Sequence, residues 1–311
     1  MKKHALFFPG QGSQSVGLMA GFGESAIIRN TFIEASDILG IDFWKMATEA
    51  NDAINETTNT QPMMLIAGVA TWRAWQALAS DQPSILAGHS LGEYTALVAA
   101  GALSFADSLP LVSYRAEVMQ SAVPVGVGAM AAILGLDDAT VVAVCAEAAL
   151  NEVLEAVNFN AAGQVVIAGN LAAVERGIAL AKTKGAKRAI PLPVSVPSHC
   201  ALMKPAALKL AEYLENVTFS TPKITVIHNA DVASYDSTNS IKDALVRQLY
   251  SPVRWVETVQ AAYSQGVTQA AECGPGKVLA GLTKRIVAEL PCIAMTSNEA
   301  LLELQAILET N

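Results

Sequence analysis

Along the first part of the chain, short apolar runs that predict strands alternate with longer segments in which apolar residues recur at helical spacing, as in an α/β protein. The apolar run at 4–8 (HALFF) predicts a buried strand that ends at a Pro-Gly pair, and 85–87 (ILA) predicts a second strand. Helical spacing of apolar residues predicts helices at 27–39, 59–79, 91–100 and 105–123. The alternation returns after residue 200, with helices predicted at 201–214, 241–249, 256–265 and 277–289 and strands at 224–228, 267–272 and 293–295. This pattern is typical of a mainly parallel sheet covered by helices on both faces.

The pattern changes between residues 124 and 194. Strands and helices are predicted there in the order βαββαβ, at 129–134, 139–148, 153–158, 164–168, 171–184 and 188–192. That order is the split unit of a ferredoxin-like fold. Pro124 and a cluster of prolines after residue 190 are natural boundaries. We therefore predict a small four-stranded domain, residues 124–194, inserted into a larger α/β domain of residues 1–123 and 195–311.

Composition narrows the classes of protein to consider. Hydrophobic residues make up 52% of the chain and charged residues 15%, so a large core is expected. The longest apolar runs, 63–70 and 96–103, are far shorter than the roughly 20 residues of a membrane span, and the N-terminal segment does not have the pattern of a signal peptide. The four cysteines are scattered, which favours reduced thiols in a cytoplasmic protein over a disulfide framework or a zinc site. A net charge of −8 argues against nucleic-acid binding.

The hexapeptide at 88–93 (GHSLGE) stands between a predicted strand and a predicted helix. Gly88 and Gly92 allow a tight turn, so Ser90 is expected at its exposed tip. There its hydroxyl lies at the positive end of a helix, where free N–H groups can stabilise an oxyanion. This is the context of a nucleophile elbow, and it predicts an acyl-transferring or acyl-hydrolysing enzyme. The alternative is a tight turn in which Ser90 only caps the helix.

A serine nucleophile needs a base within hydrogen-bond reach, and the chain has four histidines. His199 lies where the chain re-enters the large domain, and a histidine after the serine suits an elbow enzyme, so we predict it as the base. The alternative is a histidine that caps the next helix. His89 adjoins Ser90 and either lines the pocket or supports the turn. His228 ends a predicted strand and could face a cleft, whereas His4 is expected to be structural.

The imidazole also needs a group that orients it, and no acidic residue stands out between Ser90 and His199. A main-chain carbonyl could take that role. The glycine-rich segment 8–14 (FPGQGSQ) lacks the spacing of a dinucleotide-binding loop. It is either an ordinary turn or a loop that adds a main-chain N–H to that of Leu91 in an oxyanion hole.

Arg115 lies in a mostly apolar predicted helix, where a guanidinium needs a partner. It either pairs with Glu93 or Glu117, or projects into the pocket and binds a substrate carboxylate. The sequence leaves both possibilities open.

Together these motifs resemble the malonyl-CoA:acyl carrier protein transacylases of bacterial fatty-acid synthesis, and the resemblance covers essentially the whole chain. The matching segments are 8–14 (FPGQGSQ), 88–93 (GHSLGE), 114–115 (YR), 158–160 (NFN), 164–167 (QVVI), 197–199 (PSH), 248–255 (QLYSPVRW) and 272–276 (ECGPG). The resemblance implies an α/β-hydrolase-like core with a ferredoxin-like insertion. It implies ping-pong transfer of malonyl from malonyl-CoA, through a Ser90 ester, to the phosphopantetheine thiol of acyl carrier protein, without a metal or redox cofactor.

Residue roles follow from the resemblance position by position. Ser90 would be the acylated nucleophile and His199 the general base. The remaining implied site residues are Gln11 and Leu91 as oxyanion donors, Arg115 for the malonyl carboxylate, the main-chain carbonyl of Gln248 orienting His199, and Asn160 near the substrate, with His89 as a further candidate at the pocket.

Other functions remain open on the sequence alone. A serine thioesterase or hydrolase would differ only in using water as acceptor, and a scaffold would bind acyl carrier protein without catalysis. A polyketide-pathway acyltransferase is a further alternative, although related polyketide domains often carry an aromatic residue where this chain has Ser198. The basic stretch 182–188 is either a solvated helix end or a landing patch for an acidic partner. One site per chain suggests a monomer.

Overall fold

A computed structural model describes residues 2–79, 81–194 and 196–310. Met1, Ser195 and Asn311, where predicted domain boundaries fall, lie outside the described residues. The predicted α/β class is confirmed, and the chain forms one parallel and one antiparallel sheet. None of the helices in the described residues combines the length and apolar character that crossing a membrane requires.

The larger sheet has five parallel strands in the order β7-β2-β1-β8-β9. Their bounds are β1 His4–Phe8, β2 Ile85–Gly88, β7 Thr225–Ile227, β8 Gln269–Glu272 and β9 Cys292–Ala294. The central strand β1 is buried throughout, as its unbroken apolar run predicts. Because β1 and β2 run parallel with Phe8 beside Gly88, the glycine-rich loop after β1 and the turn after β2 emerge at the same edge.

Helices cover both faces of this sheet. They are α1 Ala26–Leu39, α2 Phe43–Thr48, α3 Thr57–Leu78, α4 Gly92–Ala99, α5 Phe105–Ser121, α8 Lys204–Glu215, α9 Thr238–Gln248, α10 Trp255–Ser264, α11 Val278–Ile286 and α12 Asn298–Glu309. Helix α3 is buried over most of its length, including its polar residues Thr60 and Gln61. It packs against α1, α4 and α5 in the larger of the two cores that flank the sheet.

The smaller sheet confirms the predicted βαββαβ order. It consists of β3 Gly128–Leu134, α6 Asp138–Ala149, β4 Leu154–Ala161, β5 Gln164–Asn170, α7 Leu171–Thr183 and β6 Arg188–Pro191. Its four strands are antiparallel in the order β4-β5-β3-β6. Both helices pack on one face, where Ile133, Val141, Ile167 and Val174 form a separate core.

The two sheets are joined by main-chain hydrogen bonds as well as by the chain itself. Phe159 N–H donates to Val253 O at 3.0 Å, and Val253 N–H donates to Val157 O at 2.8 Å. Arg285 on α11 also contacts Gln164 at the start of β5. These bonds hold β4 against the segment before α10, and so place Asn160 beside the larger sheet.

Differences from the predicted elements are local. Helix α2 was not predicted, because six residues are too few to show a helical period, although Asp42 caps it by accepting the N–H of Lys45 at 2.9 Å. The helix predicted to start at 201 begins with a 3₁₀ turn, and the α-helical part starts at Lys204, followed by a proline. Other bounds differ by one to a few residues, as expected for helix and strand ends.

Candidate active site

Ser90 occupies the tight turn between β2 and α4. Its φ of 52° lies in the left-handed region, which is uncommon for a residue with a side chain. A β carbon on Gly88 would lie 1.9 Å from the carbonyl carbon of Gly92, so the turn can close this tightly only around glycine. The strand, turn and helix have the geometry of a nucleophile elbow, and Ser90 lies at its tip.

His199 lies against Ser90, although the two are 109 positions apart in the chain. Ser90 Oγ is 2.8 Å from His199 Nε2. The other ring nitrogen, Nδ1, is 2.8 Å from the main-chain carbonyl oxygen of Gln248. Because a carbonyl can only accept, Nδ1 carries the hydrogen and Nε2 presents its lone pair to the serine hydroxyl. The pair is therefore arranged for proton transfer from Ser90 to His199.

The surroundings of His199 favour its neutral form. Burial, together with the positive charge of Arg115, lowers the pKa of His199 to about 3. The imidazole is thus unprotonated near neutral pH and is available as a base.

Two main-chain N–H groups lie in the loops that emerge at the same edge of the sheet. A β carbon on Gly10 would lie 2.4 Å from His89 O and 3.7 Å from Leu91 N, so the glycine-rich loop touches the elbow. Within residues 2–79, 81–194 and 196–310, the N–H groups of Gln11 and Leu91 donate to no acceptor. They are the two donors that the family resemblance implied for an oxyanion hole.

Arg115 projects into the site and is 1% exposed. Its guanidinium donates to Gln61 Oε1 at 2.6 Å, Gln248 Oε1 at 2.9 Å and Ser90 Oγ at 3.3 Å. It forms no ion pair with any carboxylate of the described chain, and its Nε–H has no partner there. Of the two possibilities left open by the sequence, the structure disfavours pairing with Glu93 or Glu117. It leaves a buried cation beside the nucleophile.

His89 is directed away from Ser90. Its Nε2 is 2.8 Å from Asn160 Oδ1, and its ring packs against Trp255 with centroids 5.5 Å apart. The contact joins the elbow to the smaller sheet. Neither residue contacts Ser90 Oγ, so this pair bounds the site instead of contributing to the serine–histidine pair.

The side chain of Gln248 was not foreseen, because the resemblance pointed only to its main-chain carbonyl. Its Oε1 accepts from Arg115, while its Nε2 donates to Ser90 O at 3.0 Å and to Glu93 Oε2 at 2.9 Å. One residue thus contacts the nucleophile, the base and the cation. Its position at the end of a predicted amphipathic helix carried no signal of this.

Asn229 was also missed. Its Oδ1 accepts the N–H of Ser90 at 2.7 Å, and its Nδ2 donates to Gly88 O at 2.6 Å, so it fastens both sides of the elbow. The neighbouring His228 is fully buried and bonds Glu93 at 2.7 Å, so it does not face a cleft. The sequence feature that could have identified Asn229 is its position directly after the predicted strand 224–228, because binding sites form at the carboxyl ends of parallel strands.

A cleft of about 350 Å³ lies next to the glycine-rich loop. It is lined by Gln11, Asn55, Glu56, Thr57, Thr58, Gln120, Pro193 and Val194. The last two residues belong to the segment that follows β6, so the cleft lies between the start of α3 with the residues before it and the second crossing between the sheets.

The remaining candidates lie elsewhere. His4 is buried in β1 beside Trp75, and burial lowers its pKa. The basic residues of 182–188 lie on the end of α7 and the start of β6 and are exposed, with Lys184 3.5 Å from Glu147.

Comparison with known proteins agrees with this geometry. The family model described as "acyl transferase domain" matches residues 6–295. The fold and this match define the chain as an acyltransferase. The malonyl CoA-acyl carrier protein transacylase of Salmonella typhimurium is 53% identical over 303 residues, which cover 97% of this chain and 98% of that protein. The chain therefore belongs to the malonyl CoA-acyl carrier protein transacylase family.

Solved structures support the same assignment. The acyl-carrier-protein S-malonyltransferase of Burkholderia pseudomallei 1710b superposes with a TM-score of 0.96 at 59% identity, over 98% of this chain and 99% of that chain. A malonyl-transacylase solved in complex with its type II PKS acyl-carrier protein has a TM-score of 0.96 at 50% identity, over 98% and 99% of the two chains.

Proposed function

We propose that this chain transfers the malonyl group from malonyl-CoA to the phosphopantetheine thiol of acyl carrier protein, supplying an extender unit for fatty-acid synthesis. The observation that carries the proposal is the position of Arg115, a buried cation 3.3 Å from the nucleophilic oxygen and without a carboxylate partner in the described residues. A malonyl group esterified to Ser90 carries a carboxylate close to that oxygen. A charged hydrogen bond to it contributes about 1.5–3 kcal/mol, which acetyl cannot supply.

In the first half-reaction, His199 Nε2 takes the proton of Ser90 Oγ as Oγ attacks the thioester carbonyl. The N–H groups of Gln11 and Leu91 stabilise the oxyanion. The carbon–sulfur bond then breaks, the sulfur of CoA receives the proton from His199, and malonyl remains as an ester on Ser90. Gln248 O holds the imidazole throughout and stabilises its charged form.

In the second half-reaction, His199 takes the proton of the phosphopantetheine thiol. The sulfur attacks the ester carbonyl, the bond to Ser90 Oγ breaks, and the proton returns to that oxygen. Every proton and electron pair is carried by the chain and its two substrates, so the scheme uses no metal or redox cofactor. A carbonyl in place of a carboxylate on His199 suits this chemistry, because a thiolate leaves more easily than an amine.

The cleft beside Gln11 is the proposed approach for the pantetheine arm. It lies between two chain segments and its lining is mostly polar, as an arm that carries amide groups requires. We further propose residues 124–194 as an inserted domain, since all four strands of the smaller sheet lie between Gly128 and Pro191.

A cytoplasmic monomer is the proposed state, and the free thiols of the described cysteines suit a reducing compartment.

Intact-protein mass spectrometry tests the function. The wild-type chain and Ser90→Ala are mixed with malonyl-CoA, and phosphopantetheinylated acyl carrier protein is then added. A malonyl adduct on wild type alone that moves to the carrier supports the proposal. An adduct lost to water at the same rate with and without the carrier indicates a hydrolase, and no adduct at all contradicts acyl transfer through Ser90.

A further inference from the structure

Glu93 is a buried carboxylate to which the reaction scheme gives no role. It lies in the first turn of α4, three residues after the nucleophile, and is fully buried. Oε1 accepts from His228 Nδ1 at 2.7 Å, and Oε2 accepts from Asn229 N–H and Gln248 Nε2, each at 2.9 Å. Three donors therefore share its negative charge.

The amide of Gln248 lies between this carboxylate and Arg115. Its Nε2 donates to Glu93 and its Oε1 accepts from Arg115, at 2.9 Å on both sides. The reverse orientation would place a donor against the guanidinium and an acceptor against the carboxylate, so only one orientation satisfies both partners. The amide dipole is consequently aligned between a buried negative and a buried positive charge.

This arrangement resolves a conflict in the demands on Arg115. A buried guanidinium needs a negative charge nearby, because an uncompensated buried charge is costly. A carboxylate in direct contact, however, would occupy the donors that a malonyl carboxylate needs. With one amide between the charges, the attraction persists: burial lowers the pKa of Arg115, while Tyr94 and then the charge of Glu93 raise it. The Nε–H of Arg115 meanwhile remains unpaired among the described residues.

We propose that Glu93 is the indirect counterion of Arg115 and a positioning residue for malonyl selectivity, acting through the amide of Gln248. The inference rests on the proposed function, in which Arg115 binds the malonyl carboxylate. Without the charge of Glu93, the malonyl carboxylate becomes the main counterion of Arg115. Malonyl on Ser90 then stabilises the protein more than it does in the wild type.

Glu93→Gln removes the charge and can keep the hydrogen bonds. Its amide oxygen can accept from Asn229 and Gln248, while its nitrogen can donate to His228 in the other tautomer of that ring. The matched control is Glu272→Gln, compared at pH 8, above the raised pKa of about 7 of that carboxyl, so that it too removes a buried negative charge; Glu272 accepts from Ala280 N–H and has no hydrogen bond to a residue of the site.

The unfolding midpoint is measured for wild type and both variants, free and after acylation of Ser90 with malonyl-CoA or acetyl-CoA, with each adduct verified by mass. We expect malonylation to raise the midpoint of Glu93→Gln by at least about 3 °C more than that of wild type. Acetylation should show no such difference, and Glu272→Gln should respond to malonyl as wild type does. An equal malonyl response in wild type and Glu93→Gln would overturn the proposal.

A second variant covers the case in which Glu93→Gln is too unstable to acylate. Gln61 also contacts Arg115, at 2.6 Å, so Gln61→Glu returns a negative charge from the other side. Added to Glu93→Gln, it should recover most of the midpoint lost by the free protein, and a double variant no more stable than Glu93→Gln alone would contradict the counterion role. This comparison needs no acyl group. If wild type forms no malonyl adduct, the proposed function fails, and the double variant still tests whether Glu93 is the counterion of Arg115.

Discussion

The main-chain carbonyl of Gln248 lies 2.8 Å from His199 Nδ1 and takes the place that a carboxylate occupies in many serine enzymes. A main-chain group cannot be removed by exchanging a side chain, so the tautomer of His199 is set by the fold. The side chain of the same residue is left free to contact Arg115 and Ser90. Orientation of the base and placement of the substrate-binding cation are therefore coupled through one residue.

Arg115→Ala tests the carboxylate role. We expect Ser90 to remain acylable but the preference for malonyl-CoA over acetyl-CoA to fall about ten- to hundredfold, the equivalent of one charged hydrogen bond. The measurement is the ratio of kcat/KM for the two thioesters. Arg176→Ala is the control, because Arg176 on α7 pairs with Glu152 at 2.7 Å and contacts no residue of the site. An unchanged ratio in Arg115→Ala would sink the assignment.

The acylation step should be insensitive to pH where histidine enzymes usually lose activity. Burial lowers the pKa of His199 to about 3, so the neutral base persists as the pH falls through 6.5. Single-turnover acylation by malonyl-CoA at pH 5.5 should lie within about twofold of its rate at pH 7.5. A histidine of ordinary pKa would lose about tenfold over that range. A midpoint near 6.5 would show that the imidazole is more solvated than the structure indicates.

Asn229→Ala should loosen the elbow. It leaves Ser90 N–H and Gly88 O without their present partner, and each buried group left unpaired costs about 1–3 kcal/mol of unfolding free energy. Denaturant unfolding and acylation rate are the measurements. Asn229→Asp keeps the acceptor for Ser90 but turns a buried carboxylate oxygen toward Gly88 O, close to Glu93, so its loss of stability should be at least as large as that of Asn229→Ala. An Asn229→Ala protein of wild-type stability would contradict this role.

Glu272 should make stability fall as the pH rises. Burial raises the pKa of its carboxyl to about 7, so between pH 4.5 and 7 the folded protein holds a proton that the unfolded chain releases. The free energy of unfolding contributed by this group therefore decreases across that window. Glu272→Gln should flatten the decrease in a series of urea unfolding curves. A parallel pH profile for wild type and variant would mean that Glu272 ionises normally.

The basic stretch 182–188, beside the smaller sheet, can be tested by charge reversal. Lys182, Lys184 and Arg188 are exposed, so changing them to Glu should leave the fold intact. If an acidic carrier protein docks there, KM for the carrier rises while acylation by malonyl-CoA is unchanged. Lys45→Glu, on the exposed side of α2, serves as the comparison. Equal losses in both half-reactions would exclude a docking role for this stretch.

Local sequence patterns predicted most of the helices and strands of the fold. Strand β1 and helix α5 could be read from the chain because apolar periodicity reports which face of an element is buried. The elbow around Ser90 was equally predictable from the sequence, since the close approach of two backbone segments requires glycine at position 88 whatever surrounds it. Short α2 and the exact ends of helices were not, because too few residues carry the signal.

The partners of polar side chains were decided only by the tertiary structure. Gln61 and Arg115 are 54 positions apart, and Glu93 and Gln248 are 155 apart, yet each pair is hydrogen-bonded. The sequence does not distinguish a helical glutamine that faces water from one that contacts a buried guanidinium. The sequence by itself determined the strand–turn–helix around Ser90 and the succession of helices and strands along the chain, because these depend on local spacing and backbone sterics. Packing over long separations decided which carboxylate, amide and guanidinium meet, because burial makes a polar group depend on whichever partner the fold brings within reach.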